Sequence, residues 1–176
     1  MKKTLLIIMI SLFGLQVYAQ ETIKWMRFDE AIKACEKSPK KIFIDVYTDW
    51  CGWCKRMDQS TFSHPVIAKY MNEHFYAVKF DAECNDTIEF KGHRFLGTSR
   101  HDGKKGSHQL AYALLQGKMS YPSYVIMNEE KQVLQVINGF QPVKNFELIL
   151  HFFAEEAYKN PNGDVFLKTF KSEITE

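Results

Sequence analysis

No apolar run after residue 19 is long enough to cross a bilayer, so nothing downstream of that point reads as a transmembrane helix. Neither charge sign dominates: 23 Lys and Arg stand against 21 Asp and Glu, a balance that argues against nucleic acid as the main partner. Internal repeats and low-complexity segments are missing, which removes solenoids and biased-composition tails. Cysteine is scarce, four residues in 176, and only two of the four lie close together. A zinc site would need two further Cys or His ligands at matching spacing, and the six histidines share no such spacing on one face. No segment reads as a dimerisation module, so a monomer is expected. What these absences leave is a soluble globular domain with one unusual pair of thiols.

That pair lies in Trp50-Cys51-Gly52-Trp53-Cys54-Lys55. Ahead of it, Lys41-Ile42-Phe43-Ile44-Asp45-Val46-Tyr47 is rich in β-branched and aromatic residues and reads as a buried strand. Two cysteines two residues apart, at a strand-to-helix junction, suit thiol chemistry. The first sits where unpaired helix N–H groups and the macrodipole favour an anion, which stabilises its thiolate. The second lies one turn on, less exposed, placed to close a disulfide after the first has attacked.

The chain begins with Lys2 and Lys3, an apolar stretch from Thr4 to Leu15, and Val17-Tyr18-Ala19. This is the pattern of a signal peptide over 1–19 cleaved after Ala19, and it places the domain in the periplasm or outside the cell, where disulfides persist. No cysteine follows the cleavage point directly, so no lipid anchor is expected.

Along the remaining chain, Ile23-Lys24-Trp25 is a candidate first strand, and 28–37 an amphipathic helix ended by Ser38-Pro39. The cysteine helix follows the strand to Tyr47. A further helix starts at His64-Pro65, and Tyr76 to Phe80 reads as a strand. From about 84 to 106 the chain is polar and glycine-rich, with 87–90 and 93–96 able to pair as a hairpin across Lys91-Gly92. Lys91, Arg94, Arg100, Lys104 and Lys105 make this stretch basic. Ser107 is the expected N-cap of a helix through Leu115. Pro122 introduces a strand over 123–127, a turn leads to another over 132–137, and a last helix spans roughly Val143 to Tyr158. The alternation of strands and helices makes this an α/β layered domain.

With these residues in place, the chain resembles the thioredoxin-like superfamily. Asp45 and Trp50 precede Cys51-Gly52-Trp53-Cys54, a strand carries Lys79, and Tyr121-Pro122 stands before the penultimate strand. The stretch from Asp45 through Thr61-Phe62-Ser63-His64-Pro65 is most similar to bacterial extracytoplasmic members, including the C-terminal domain of the transmembrane thiol reductase. The resemblance implies a central mixed sheet flanked by helices over residues 20–158, with 84–106 inserted between the third strand and the following helix, and 159–176 as a C-terminal tail. It also implies a thiol–disulfide oxidoreductase with no cofactor beyond its own Cys51–Cys54 couple. Cys51 would be nucleophile and Cys54 the resolving thiol. Asp45 would relay protons at the second cysteine, with Lys79 as its modulator. Pro122 would follow a cis peptide bond, and Trp50, Trp53 and Tyr121 would form with it an apolar rim for protein disulfide or thiol substrates. Reduction of exported proteins, with electrons from a membrane donor, is the expected direction. The alternative direction is a disulfide oxidase, which runs the same residues from the disulfide form, or an isomerase, which usually needs a separate dimerisation module. A metal-handling module using the thiols, with Met57 as a soft neighbour, is the alternative of another class. A Cys35–Cys84 disulfide is not expected, since the topology puts these residues at opposite ends of the sheet.

Overall fold

The computed structural model describes residues 21–98 and 106–175. The expected signal peptide over 1–19 therefore lies outside the described residues, as do Arg100, Lys104 and Lys105 of the basic stretch.

Helix α1 (Phe28–Lys37) leads into β1 (Lys41–Tyr47), and α2 (Gly52–Ser60) begins at the cysteines. Next come α3 (Pro65–His74), β2 (Phe75–Asp81), and the hairpin β3 (Thr87–Phe90) and β4 (His93–Leu96). Helix α4 (Gln109–Leu114), strands β5 (Ser123–Met127) and β6 (Val133–Asn138), α5 (Val143–Ala154), a 3-10 turn (Ala157–Lys159) and α6 (Gly163–Thr169) complete the order. The main sheet runs β2-β1-β5-β6; β1 pairs parallel with β2, and the other pairings are antiparallel.

Strand β1 is central, so six of its seven residues are buried and it lacks the alternation of a half-exposed strand. Its side chains still divide by parity. Ile42, Ile44 and Val46 face a core with α1, α4 and Ile88 of β3, while Phe43 faces a second core with α2, α3 and α5. In that second core, Phe43, Phe62, Tyr124 and Phe146 meet in mutual ring contacts with centroids 5.4 to 6.2 Å apart. Asp45 shares the parity of Phe43 and so lies on the face covered by α2.

Several expected elements change. Residues 23–25 form no strand; the segment touches the sheet through a single parallel bridge, Met26 to Val78, in which the Met26 N–H donates to Ala77 and the Met26 carbonyl accepts from Lys79. The hairpin insertion consequently follows the second strand rather than the third. It turns across Lys91 and Gly92, both at positive φ (49° and 74°), the backbone a tight hairpin requires. The cap of α4 is His108 and not Ser107: its Nδ1 accepts from the Leu110 N–H at 3.0 Å, and the ring is wholly buried. The helix expected to run from Val143 to Tyr158 stops at Ala154, because Glu156 takes a left-handed conformation, and α6 follows where no helix is expected. The tail is not loose: buried Glu147 accepts the Ser172 hydroxyl and the Glu173 N–H, and Ile174 enters the second core.

Candidate active site

Cys51 ends the loop after β1 and caps α2. Its N–H donates to the Thr48 carbonyl at 3.1 Å, its backbone is extended, and its Sγ accepts the Cys54 N–H at 3.0 Å. The helix start thus directs an otherwise unpaired amide at sulfur, the arrangement that lowers a thiol's proton affinity when the disulfide opens. Cys51 and Cys54 are joined as a disulfide with Cα atoms 5.3 Å apart. In this form the expected difference in exposure is absent: the two residues are 4% and 3% exposed, sharing one environment at the head of the helix.

The aromatic rim forms as two separate pairs. Trp50, 66% exposed, meets Tyr121 edge to face at 5.8 Å, and its indole N–H donates to both carboxylate oxygens of Glu83 at 3.1 Å. Trp53, 62% exposed, packs on Phe140 at 5.5 Å. The Tyr121–Pro122 peptide is cis, in line with the resemblance.

Asp45 is 1% exposed and stands opposite Lys79 in the parallel register. Its Oδ2 lies 2.7 Å from Lys79 Nζ as an ion pair, yet neither carboxylate oxygen accepts a well-directed hydrogen bond. Burial pushes its carboxyl up to about 6, with Lys79 pulling against that rise and Asp58 adding to it. Lys79 also pairs with Asp58, which is partly exposed on α2. Its proton affinity is raised: burial opposes the charge, but the two carboxylates outweigh it. Three rings surround the same ammonium, with centroids at 4.9 Å for Trp25 and 5.2 Å for Tyr47 and Phe62.

The remaining thiols sit apart. Cys35 Sγ donates to the carbonyls of Lys40 and Glu129, before β1 and after β5, at the end of the sheet away from Cys51. Cys84 follows β2 at the near end, half-buried, its thiol pushed up by desolvation; both are free. Met57 is fully buried and its sulfur accepts the Gln141 N–H at 3.3 Å, so it is core and not a partner of the cysteines. Among the described residues no group of three His, Cys, Asp or Glu is arranged to hold a metal ion.

Asp58, Glu83, Phe140 and the ring trio around Lys79 are not among the residues expected from sequence. Asp58 carried a signal, since it lies one turn after Cys54 on the same helix. Glu83 and Phe140 carried none, because each meets its tryptophan only through the tertiary fold.

A family model described as "Thioredox_DsbH: Protein of unknown function, DUF255" matches residues 5–153. An uncharacterised protein of Caenorhabditis elegans is 33% identical over 73 residues, 41% of this chain and 10% of that protein. The thiol:disulfide interchange protein DsbD of Pectobacterium atrosepticum is 38% identical over 39 residues, 22% of this chain and 7% of that protein. The match thus spans a tenth or less of these curated relatives. Among solved structures, a thioredoxin from Thermus thermophilus is 12% identical with a TM-score of 0.59, covering 80% of this chain and 95% of its own, a likeness of fold.

Proposed function

Since the chain belongs to the Thioredox_DsbH family, we propose that it is an exported thiol–disulfide oxidoreductase that reduces disulfides in other exported proteins. The observation that carries this reading is the Cys51–Cys54 disulfide at the head of α2, with the buried Asp45–Lys79 pair on the same face of the sheet.

In the reduced protein, the Cys51 thiolate attacks one sulfur of a client disulfide. The client S–S bond breaks, one client thiolate leaves and takes up a proton, and Cys51 is held in a mixed disulfide. Cys54 then gives its proton to the Asp45 carboxylate and attacks Cys51 Sγ. The second client thiol is released with that proton, and two electrons have passed to the client. Asp45 suits this role because burial sets it near 6, where it is ionised at neutral pH and still basic enough to accept a thiol proton. Lys79 keeps the ionised form tolerable in a site that would otherwise expel it. The exposed Trp50 and Trp53, each backed by a second ring, offer an apolar landing surface on either side of the sulfurs.

Export rests on the 1–19 pattern and on the resemblance to extracytoplasmic members; a membrane electron donor would recharge the dithiol, and the domain would act as a monomer. The test is the reduction potential of the couple, read by alkylation after equilibration with glutathione. A value near about −270 mV supports a reductase, and one near about −120 mV reverses the direction. Absence of a reversible two-electron couple would remove the enzyme reading altogether.

A further inference from the structure

The relay proposed above leaves one feature unused: the ring trio around Lys79. Trp25 comes from the N-terminal segment, Tyr47 from the end of β1 and Phe62 from the turn after α2. They are brought to one ammonium from three parts of the chain. Trp25 and Phe62 also brace each other edge to face at 5.1 Å. The segment bearing Trp25 is held by the Met26 bridge to β2, whose Lys79 N–H donates to the Met26 carbonyl. The residue that covers the ammonium is thereby tied to the strand that carries it.

We propose that Trp25, with Tyr47 and Phe62, is an aromatic cage that holds the Lys79 ammonium against Asp45, which makes Trp25 a positioning residue for proton transfer at Cys54. This rests on the reading of Asp45 as proton relay. A lysine side chain has a flexible four-carbon stem and a strongly hydrated head, so one that is a fifth exposed, as Lys79 is, spends time in water if left to itself. The faces of three rings favour a cation and exclude solvent from it. Lys79 has a second carboxylate in reach, Asp58 on the solvent side. Without the cage the ammonium leans to Asp58 and water, and Asp45 loses its counter-charge. The other titratable groups about the site are Tyr47 on β1, Tyr124 on β5, and Asp49 and Asp81, which act on the Tyr47 hydroxyl. None of them is a cation able to take the place of Lys79.

The test is Trp25→Leu, with Trp25→Phe as the variant that keeps a ring and Phe62→Leu as a second way to open the cage should Trp25→Leu fail to fold. Two quantities are followed against pH. One is the single-turnover rate of the reduced protein with glutathione disulfide, a probe too small to depend on the rim. The other is the carboxyl-carbon NMR titration of Asp45. Losing the cage weakens the hold on the ionised carboxylate, so both midpoints move upward, by about half a unit to one unit. Trp25→Phe restores most of the shift, and Trp25→Leu adds nothing in a Lys79→Met background. Unmoved midpoints in both Trp25→Leu and Phe62→Leu overturn the proposal. So does an equal shift from Trp25→Leu whether or not Lys79 is present, since the ring would then act by another route. If Lys79→Met and Asp45→Asn also leave the rate profile unchanged, the relay reading itself falls with it.

Discussion

Replacing Asp45 by asparagine stabilises the oxidised protein at pH 8 and slightly destabilises it near pH 3. The carboxyl titrates at about 6 in the fold against 3.8 in the unfolded chain. The folded state therefore binds this proton more tightly than the unfolded state. For a group shifted upward, the favourable contribution is complete below the unfolded value and is lost as pH rises through the folded one. The window runs from about pH 4 to about pH 6, and above it the buried charge costs the fold about 3 kcal/mol, at about 1.4 kcal/mol per unit. Asparagine has the shape of the neutral acid and never ionises. Its amide brings an unsatisfied donor to a site where the carboxylate already lacks well-directed partners, which takes back about 1 kcal/mol. The expected gain is about 2 kcal/mol at pH 8, read as a higher urea midpoint at unchanged slope, and it turns into a loss of about 1 kcal/mol at pH 3.5, where only the amide's cost remains. Circular dichroism on the disulfide form is the assay. A gain of equal size at both pH values, or a loss at pH 8, refutes the argument that the stability cost arises from ionising Asp45.

Cys54→Ser should abolish turnover and accumulate mixed disulfides through Cys51, seen as reducible high-mass species in non-reducing gels; release of free client instead would contradict the assignment of Cys54 as resolving thiol. Glu83→Gln removes the charge that fixes the Trp50 indole. Because the pair is exposed, stability should stay within about 0.5 kcal/mol while kcat/KM for protein disulfides falls a few-fold and that for glutathione disulfide does not. Glu147→Ala strips the anchor from Ser172 and Glu173. Losing bonds to a buried carboxylate should cost about 1.5–3 kcal/mol and speed trypsin cleavage at Lys168 and Lys171, whereas an unchanged cleavage rate would show that Ile174 alone holds the tail.

The cysteine pair and the Asp45–Lys79 ion pair were legible because they are local or set by register. Cys51 and Cys54 follow a strand whose composition announces it, and Asp45 and Lys79 occupy equivalent places on neighbouring strands. The extent of α1 and β1 could be read from the pattern of apolar residues together with the Ser38-Pro39 stop. The first segment could not: Ile23-Lys24-Trp25 has strand composition, but only Met26 reaches β2, and Trp25 is spent on Lys79 instead. The cap of α4 was missed because Ser107 has the better intrinsic preference, while His108 is also bound by the Asp86 carbonyl, a tertiary contact that propensity ignores. Glu147 did leave a trace. A lone carboxylate beside Phe146 and Leu150 on an otherwise apolar face calls for a partner, but nothing local names Ser172 as that partner.

The chain has three tryptophans, and all of them stand at this one site: Trp25 over Lys79, Trp50 and Trp53 beside the sulfurs. Tryptophan emission, excited selectively over the eight tyrosines, is therefore a report from the redox centre and carries no reference signal from elsewhere. Opening the disulfide acts on the two outward-facing indoles, while ionising Asp45 acts on the field at the third. Those two optical events can be separated by quenching with iodide, which reaches Trp50 and Trp53 before the half-buried Trp25. The opposite end of the sheet, where Lys41 is clamped between Glu129 and Glu156, is dark to this method, and its loosening would pass unseen in a tryptophan trace.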